Sequence, residues 1–315
     1  MYPLKFKSIY KPRIWGGQRL REFFNKDIPP FEKIGESWEL TDLPDDKSVI
    51  VNGRFAGLTL GSVFQKFNRE ITGFEIAAPL KQFPLMIKFL DANDILSVQV
   101  HPDDHACRRM GKGQPKIECW YIIDAKPDAF IYKGLKKGVT KTQFAEAIKK
   151  GSVEQLLSKI PVRPGQCHFL PAGTVHSTGD GILIAEVETP SDTTYRVFDW
   201  NRLDDNGKQR QLHIDEALET INFNEVVYDF QPTTIGRLVE SRHFNLEKAC
   251  HEKNCKLVLS QGAMQIFIFL KGNGTILNNN KETIDFVAGD TLLIPANCQA
   301  TMNFNTDTQF LKVSL

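Results

Sequence analysis

Three short stretches of this sequence carry side chains able to hold a cation. The first is Leu96-Ser97-Val98-Gln99-Val100-His101-Pro102-Asp103-Asp104 and the second is Lys116-Ile117-Glu118-Cys119-Trp120. The third runs from Gly165 to His176 and ends in Pro171-Ala172-Gly173-Thr174-Val175-His176. Together they offer Gln99, His101, Glu118 and His176, which could meet at one metal. Imidazole nitrogens, a carboxylate and a neutral oxygen, with coordination positions left over, make a catalytic divalent-metal site, most often zinc.

Extended chain is what would bring these groups together. Side chains alternate across a strand, so Gln99 and His101 point to one side and Val98 and Val100 to the other. Glu118 sits in a strand-like run through Ile123, and its apolar neighbours argue that it is buried and needs a partner. Pro171 and Gly173 predict a turn just before His176. Lys116 has the parity of Glu118 and shares the metal face. Lys88, between Ile87 and Phe89, is either an edge residue or a cation facing a cavity. A lysine beside a divalent metal is unfavourable unless an anion lies between them, and a substrate phosphate or a developing oxyanion meets that need. Gln99 is the weakest of the four ligands and could instead support the others by hydrogen bonding. A lone histidine is more often packed in a core than bound to metal, but here the turn and the Gln99/His101 pair favour the metal. His105 is expected at the surface, and His168 has no assigned role. Asp103 and Asp104 follow Pro102, leave the strand, and are expected to cap the next segment.

The pattern Gly-x5-Pro-x-Gly-x2-His over residues 165–176 resembles the second signature of the cupin barrel at every fixed position. The first cupin signature carries His-x-His, and here Gln99 replaces the first histidine. Gln-x-His-Pro-Asp followed by Lys-x-Glu-x-Trp resembles the type I mannose-6-phosphate isomerases in their short bacterial form. Trp15-Gly16-Gly17, Ile34-Gly35-Glu36-Ser37-Trp38, Pro84 to Leu90 and Ser191 to Arg196 extend the likeness, which is strong over residues 3–200.

The resemblance implies one zinc ion held by His101, Glu118 and His176 with Gln99, and interconversion of mannose 6-phosphate and fructose 6-phosphate through a cis-enediol. It implies that Arg196 is the active-site arginine. Glu186, ten residues earlier, stands at the position of a proposed general base; Glu188 is its rival and Lys116 a third proton-transfer candidate. Lys88, Lys116 and Arg196 are expected to form a cationic cleft for the phosphorylated hexose. Two other readings of a cupin are an iron dioxygenase and a non-catalytic sugar-binding module. The Gln99 replacement and the nearby cations favour the isomerase.

With 315 residues, two domains are expected. Hydrophobic residues make up 41%, charged residues 24%, and the net charge is +1, which suggests no nucleic-acid partner. No apolar run approaches a membrane span. Six scattered cysteines without a CxxC pair suggest free thiols and a cytoplasmic protein. A monomer or a weak homo-oligomer is expected, with no residue signal that fixes the state.

Short runs rich in Phe, Val and Ile, broken by Gly, Pro, Asn and Asp, predict a mainly β fold. Helices are expected from Leu60 to Phe67 behind Thr59, after the capping boxes Thr140-x-x-Gln143 and Ser152-x-x-Gln155, and along Ile214 to Ile221. A faint repeat aligns Gly165…Pro171…His176 with Gly289…Pro295…Ala300, with Asn297 at the left-handed position of Gly173. Two cupin (jelly-roll) barrels follow. The catalytic one spans residues 1–228, with helical insertions near 138–159 and 213–222; the degenerate one spans 229–315 and is expected to hold no metal. Gly272-x-Gly274 reads as a turn of the second barrel. The Asp42/Asp45/Asp46 and Asp204/Asp205 clusters read as solvated turns.

Overall fold

The computed structural model describes residues 1–73, 82–203, 207–224 and 235–315. The domain boundary expected at 228/229 and the Asp204/Asp205 cluster lie outside these residues. The fold is mainly β, with four antiparallel sheets. A six-stranded sheet runs in the order Ile9–Gly17, Ile34–Leu40, Met86–Ala92, Ile182–Glu188, Glu118–Ala125, Cys167–Leu170. It faces a five-stranded sheet ordered Tyr195–Phe198, Val98–Val100, His176–Thr178, Phe130–Leu135, Leu157–Pro161. The second pair comprises a six-stranded sheet centred on Gln265–Lys271 and Thr308–Ser314 and a four-stranded sheet spanning Lys256–Leu259 to Thr283–Val287.

Strand parity explains how the layers stack. Along Ile182–Glu188, Leu183, Ala185 and Val187 join Ile87, Phe89, Cys119 and Tyr121 on the outer face of their sheet. There they pack against Ile266, Ile268, Leu293, Leu311 and Val313 of the second six-stranded sheet, so one core joins the two sandwiches. The alternate residues face inward, where Leu90, Trp120, Ile122, Ile182 and Ile184 meet Ile131 of the five-stranded sheet. Both faces of this antiparallel sheet are covered, and its strands read as near-continuous apolar runs rather than alternating ones. The outer face of the five-stranded sheet is covered by Phe144 and Ile148 of helix Lys141–Lys150 and by Ala217 of helix Ile214–Thr220.

Most local expectations are met. Thr59 caps helix Leu60–Lys66, and Thr140 and Gln143 form a complete capping box on helix Lys141–Lys150, which ends at Gly151 with φ 65°. Asp103 caps helix Asp104–Met110 through the amide of Ala106. His105 is exposed and all six cysteines are free thiols.

Four details differ. Ser152 makes no capping bond, because its ψ of 24° is not extended, and only a 3-10 turn Val153–Leu156 follows. Asn297 is not left-handed; its amide reaches the carbonyl of Glu70 at 3.1 Å, tying this turn to the helix Asn68–Thr72. Asp42 is buried rather than solvated, since its carboxylate accepts from the amide of Phe83 at 3.0 Å. The strand Leu4–Lys5 adds to the edge of the second sandwich, with Leu4 opposite Leu293. The second sandwich is therefore not built from residues after 228 alone. Its interior is filled by Phe267, Phe269, Phe286, Phe304 and Phe310, with Ala300 among them.

Candidate active site

Two facing rows of paired residues build the site. On the five-stranded sheet, Gln99 stands opposite both His176 and Arg196. Directly opposed residues share a face, so the three side chains enter the same interior. On the six-stranded sheet, Glu188 stands opposite Glu118, while Glu186 stands opposite Trp120 on one side and Lys88 on the other. His101 follows the strand Val98–Val100, and its carbonyl accepts from the amide of Gly173 at 2.8 Å. Gly173 has φ 87°, the left-handed turn expected before His176. The turn that delivers one histidine is thus bonded to the other.

Each imidazole donates Nδ1–H to a carbonyl, His101 to Thr193 at 2.8 Å and His176 to Thr174 at 2.9 Å. A carbonyl only accepts, so each neutral ring turns a bare Nε2 inward. His101 Nε2 lies 3.3 Å from Glu118 Oε2, and His176 Nε2 lies 3.2 Å from Glu118 Oε1. All three side chains are buried. Burial, with the charge of Lys116, pushes the His101 pKa down to about 3, and burial lowers that of His176. Burial opposes charge on Glu118, yet the ammonium of Lys116 holds its carboxyl well below the usual carboxylate range. Lone pairs therefore face lone pairs with no proton between them, an arrangement that a cation would relieve. These residues fit a divalent metal. The amide nitrogen of Gln99 lies 3.3 Å from His176 Nε2, and turning the amide over brings its oxygen to the cluster.

Lys88, Lys116 and Arg196 line one cleft. Lys116 Nζ sits 3.0 Å from Glu118 and 2.6 Å from Glu188. Lys88 Nζ sits 2.7 Å from Glu188 and 3.4 Å from Glu186. Both lysines are buried and already paired, because an unpaired ammonium there would carry a large desolvation penalty. Burial disfavours both ammoniums, but Glu188 and its neighbours raise both pKa values. Glu186 accepts from the Trp120 indole at 2.8 Å, and burial together with Glu188 and Glu118 pushes its pKa well up.

Positive charge at the mouth comes from arginines. A cleft of about 310 Å³ is lined by Arg13, Glu36, Lys88, Gln99, Glu186, Arg196 and Arg210, among others. Arg13 is held by Glu36 at 2.8 Å and Arg210 by Asp199 at 2.7 Å. Arg196 donates to Ser97 Oγ at 3.2 Å and to the carbonyl of Gln211 at 3.0 Å. It forms no ion pair with a carboxylate among the described residues. Arg13, Arg210, Ser97 and Asp199 are site residues that the sequence reading did not identify. The alternation of Glu36 and Trp38 in a strand was the available signal for that wall, and Glu36 indeed accepts from the Trp38 indole at 2.6 Å.

Fold and cluster define a cupin-like β protein with a candidate metal centre. The chain belongs to the type I phosphomannose isomerase family. Residues 3–117 match the family model of the phosphomannose isomerase type I catalytic domain. The chain is 35% identical over 304 residues to the mannose-6-phosphate isomerase ManA of Bacillus subtilis, covering 93% of each protein. It is 35% identical over 316 residues to the mannose-6-phosphate isomerase of Streptococcus mutans, covering 98% of this chain and 97% of the relative. A crystal structure of the mannose 6-phosphate isomerase from Bacillus subtilis superposes with a TM-score of 0.87 at 31% identity, covering 100% of both chains. No helix among the described residues is long and apolar enough to cross a membrane.

Proposed function

We propose that this chain interconverts mannose 6-phosphate and fructose 6-phosphate, with one zinc ion held by His101, Glu118 and His176 and by the amide oxygen of Gln99. The observation that carries the reading is the pair of bare Nε2 atoms aimed at an ionised, buried carboxylate. When bound, a redox-inert cation supplies polarisation of the substrate carbonyl and stabilisation of the enediolate.

The remaining roles belong to the chain. Glu186 is assigned as the general base that takes the proton from C2 and returns it at C1. Its raised pKa brings it toward the useful range for that work. Lys116, on the same interior face, presents its ammonium to the substrate oxygens. Lys88 keeps Glu186 company at 3.4 Å and faces the substrate from the cleft wall. Arg196 meets the negative charge that develops, and the arginine-lined mouth receives the phosphate, whose binding energy orients the sugar.

A coupled assay tests the reading. Mannose 6-phosphate should be converted to fructose 6-phosphate, activity should be lost on chelation, and zinc should restore it. Free mannose should be a poor substrate. Turnover unaffected by exhaustive chelation, or restored by iron alone, would reject the metal assignment. Equal rates on free mannose would reject the phosphosugar reading.

A further inference from the structure

Glu188 is a buried acid of this site to which the proposed reaction gives no task. It lies at the end of strand Ile182–Glu188, opposite Glu118 on one neighbour and Met86 on the other. Its two oxygens hold two lysines from different parts of the chain. Oε1 lies 2.7 Å from Lys88 Nζ, and Oε2 lies 2.6 Å from Lys116 Nζ. Each lysine has one further carboxylate in reach at a longer distance: Glu186 at 3.4 Å from Lys88, and Glu118 at 3.0 Å from Lys116.

We propose that Glu188 is a positioning residue for the isomerisation: by bridging Lys88 and Lys116 it holds Lys88 back from Glu186 and shares Lys116 with Glu118. The proposal rests on the isomerase reading above.

The argument is one of competition between anions. Two buried ammoniums each need a counter-charge. Remove the shared carboxylate, and the nearest replacements are Glu186 and Glu118. Lys88 would then bond fully to Glu186, occupying the oxygens that must accept a substrate proton. Lys116, already 3.0 Å from Glu118, would have that carboxylate as its nearest counter-charge and would settle onto it, away from the position in which it serves the substrate. The two lysines would also lose the charge that screens them from each other. A glutamine fills the same volume, but its amide can accept from only one lysine and presents N–H to the other. An aspartate keeps the charge on a shorter stem and cannot hold both lysines at these distances. A structural ion triad would behave differently, since losing one partner of a buried ion pair acts on stability rather than on turnover.

The test compares the intact zinc-loaded protein with E188Q and E188D, reading metal content, kcat and KM for mannose 6-phosphate. Failure of the wild-type protein to turn over this substrate would overturn the isomerase reading itself. Given wild-type turnover, E188Q should keep its zinc and hold KM within about threefold. Its kcat should fall on the order of 10²-fold. E188D should lie between E188Q and wild type. A wild-type kcat in E188Q, or a loss confined to KM, overturns the role. Zinc lost in step with activity also overturns it, because the residue would then act through the metal. If E188Q does not fold, E188D decides: reduced kcat with zinc and KM kept supports the role, and full kcat rejects it.

Discussion

His101 donates Nδ1–H to the carbonyl of Thr193 at 2.8 Å, and Thr193 lies three residues ahead of Arg196. The segment that presents the arginine therefore also fixes which nitrogen of the histidine is bare. Backbone carbonyls perform this service at both histidines, so no side-chain substitution at Thr193 or Thr174 removes the acceptor itself. The side chains proposed to carry the chemistry give sharper tests.

Replacing His176 by alanine should abolish bound zinc and activity together, since removing one ligand leaves a poor site. Elemental analysis of the folded variant checks this. Wild-type metal content there would remove His176 from the ligand set.

Arg196→Ala should lower kcat with zinc retained, by on the order of 3 kcal/mol, comparable to losing an oxyanion-hole donor. Lys at this position should recover part of the loss, because it restores the charge but not the two-way bonding to Ser97 and Gln211. Steady-state kinetics with metal content measured in parallel decides it. A normal kcat in the alanine variant contradicts the role.

His168 gives a pH prediction outside the metal cluster. It is fully buried, faces the interior opposite Trp120, and neither ring nitrogen has a hydrogen-bond partner among the described residues. Burial, with the charge of Lys133, pushes its pKa down to about 4. The unfolded chain, with an ordinary histidine pKa near 6.5, binds this proton first as pH falls. The stability it contributes is therefore complete above about pH 6.5 and lost toward pH 4, at roughly 1.4 kcal/mol per pH unit. Denaturation at pH 7 and pH 5 should show a smaller difference in H168L than in wild type. Identical pH dependence in the two proteins would show that the ring is not held neutral.

The shared core predicts that the sandwiches do not separate. A fragment of residues 229–315 lacks the edge strand Leu4–Lys5 and exposes Ile266, Ile268, Leu293, Leu311 and Val313. Such an apolar face favours association. The fragment should not fold as a monomer, and Phe89→Ala in the full chain should cost about 3–5 kcal/mol. A stable monomeric fragment in solution would show that the joint core is dispensable.

The metal cluster was legible because its signals are local. Alternation placed Gln99 with His101 and Lys116 with Glu118, and a proline–glycine turn announced His176. The β class was equally plain in the short apolar runs. The mouth was less so. Arg13, Arg196 and Arg210 meet from three separate segments, and the salt bridges that aim two of them, to Glu36 and Asp199, have no fixed spacing. Asp42 looked solvated because its neighbours are acidic, yet its partner is an amide far along the chain at Phe83. The pairing of Lys88 and Lys116 through Glu188 depends on register between strands, which residue types alone do not specify.

The pairing of Leu4 with Leu293 also sets an order of events during synthesis. The first strand of the chain leaves the ribosome with its ladder partner still unmade, almost the whole sequence away. Until that partner emerges, Leu4 lacks its ladder, and Ile87 and Phe89 lack the Ile266, Ile268, Leu293, Leu311 and Val313 that complete their core. Long-range pairing of this kind folds slowly and leaves intermediates open to aggregation. Until its last strands arrive, the nascent chain carries an unpaired strand and an incomplete core.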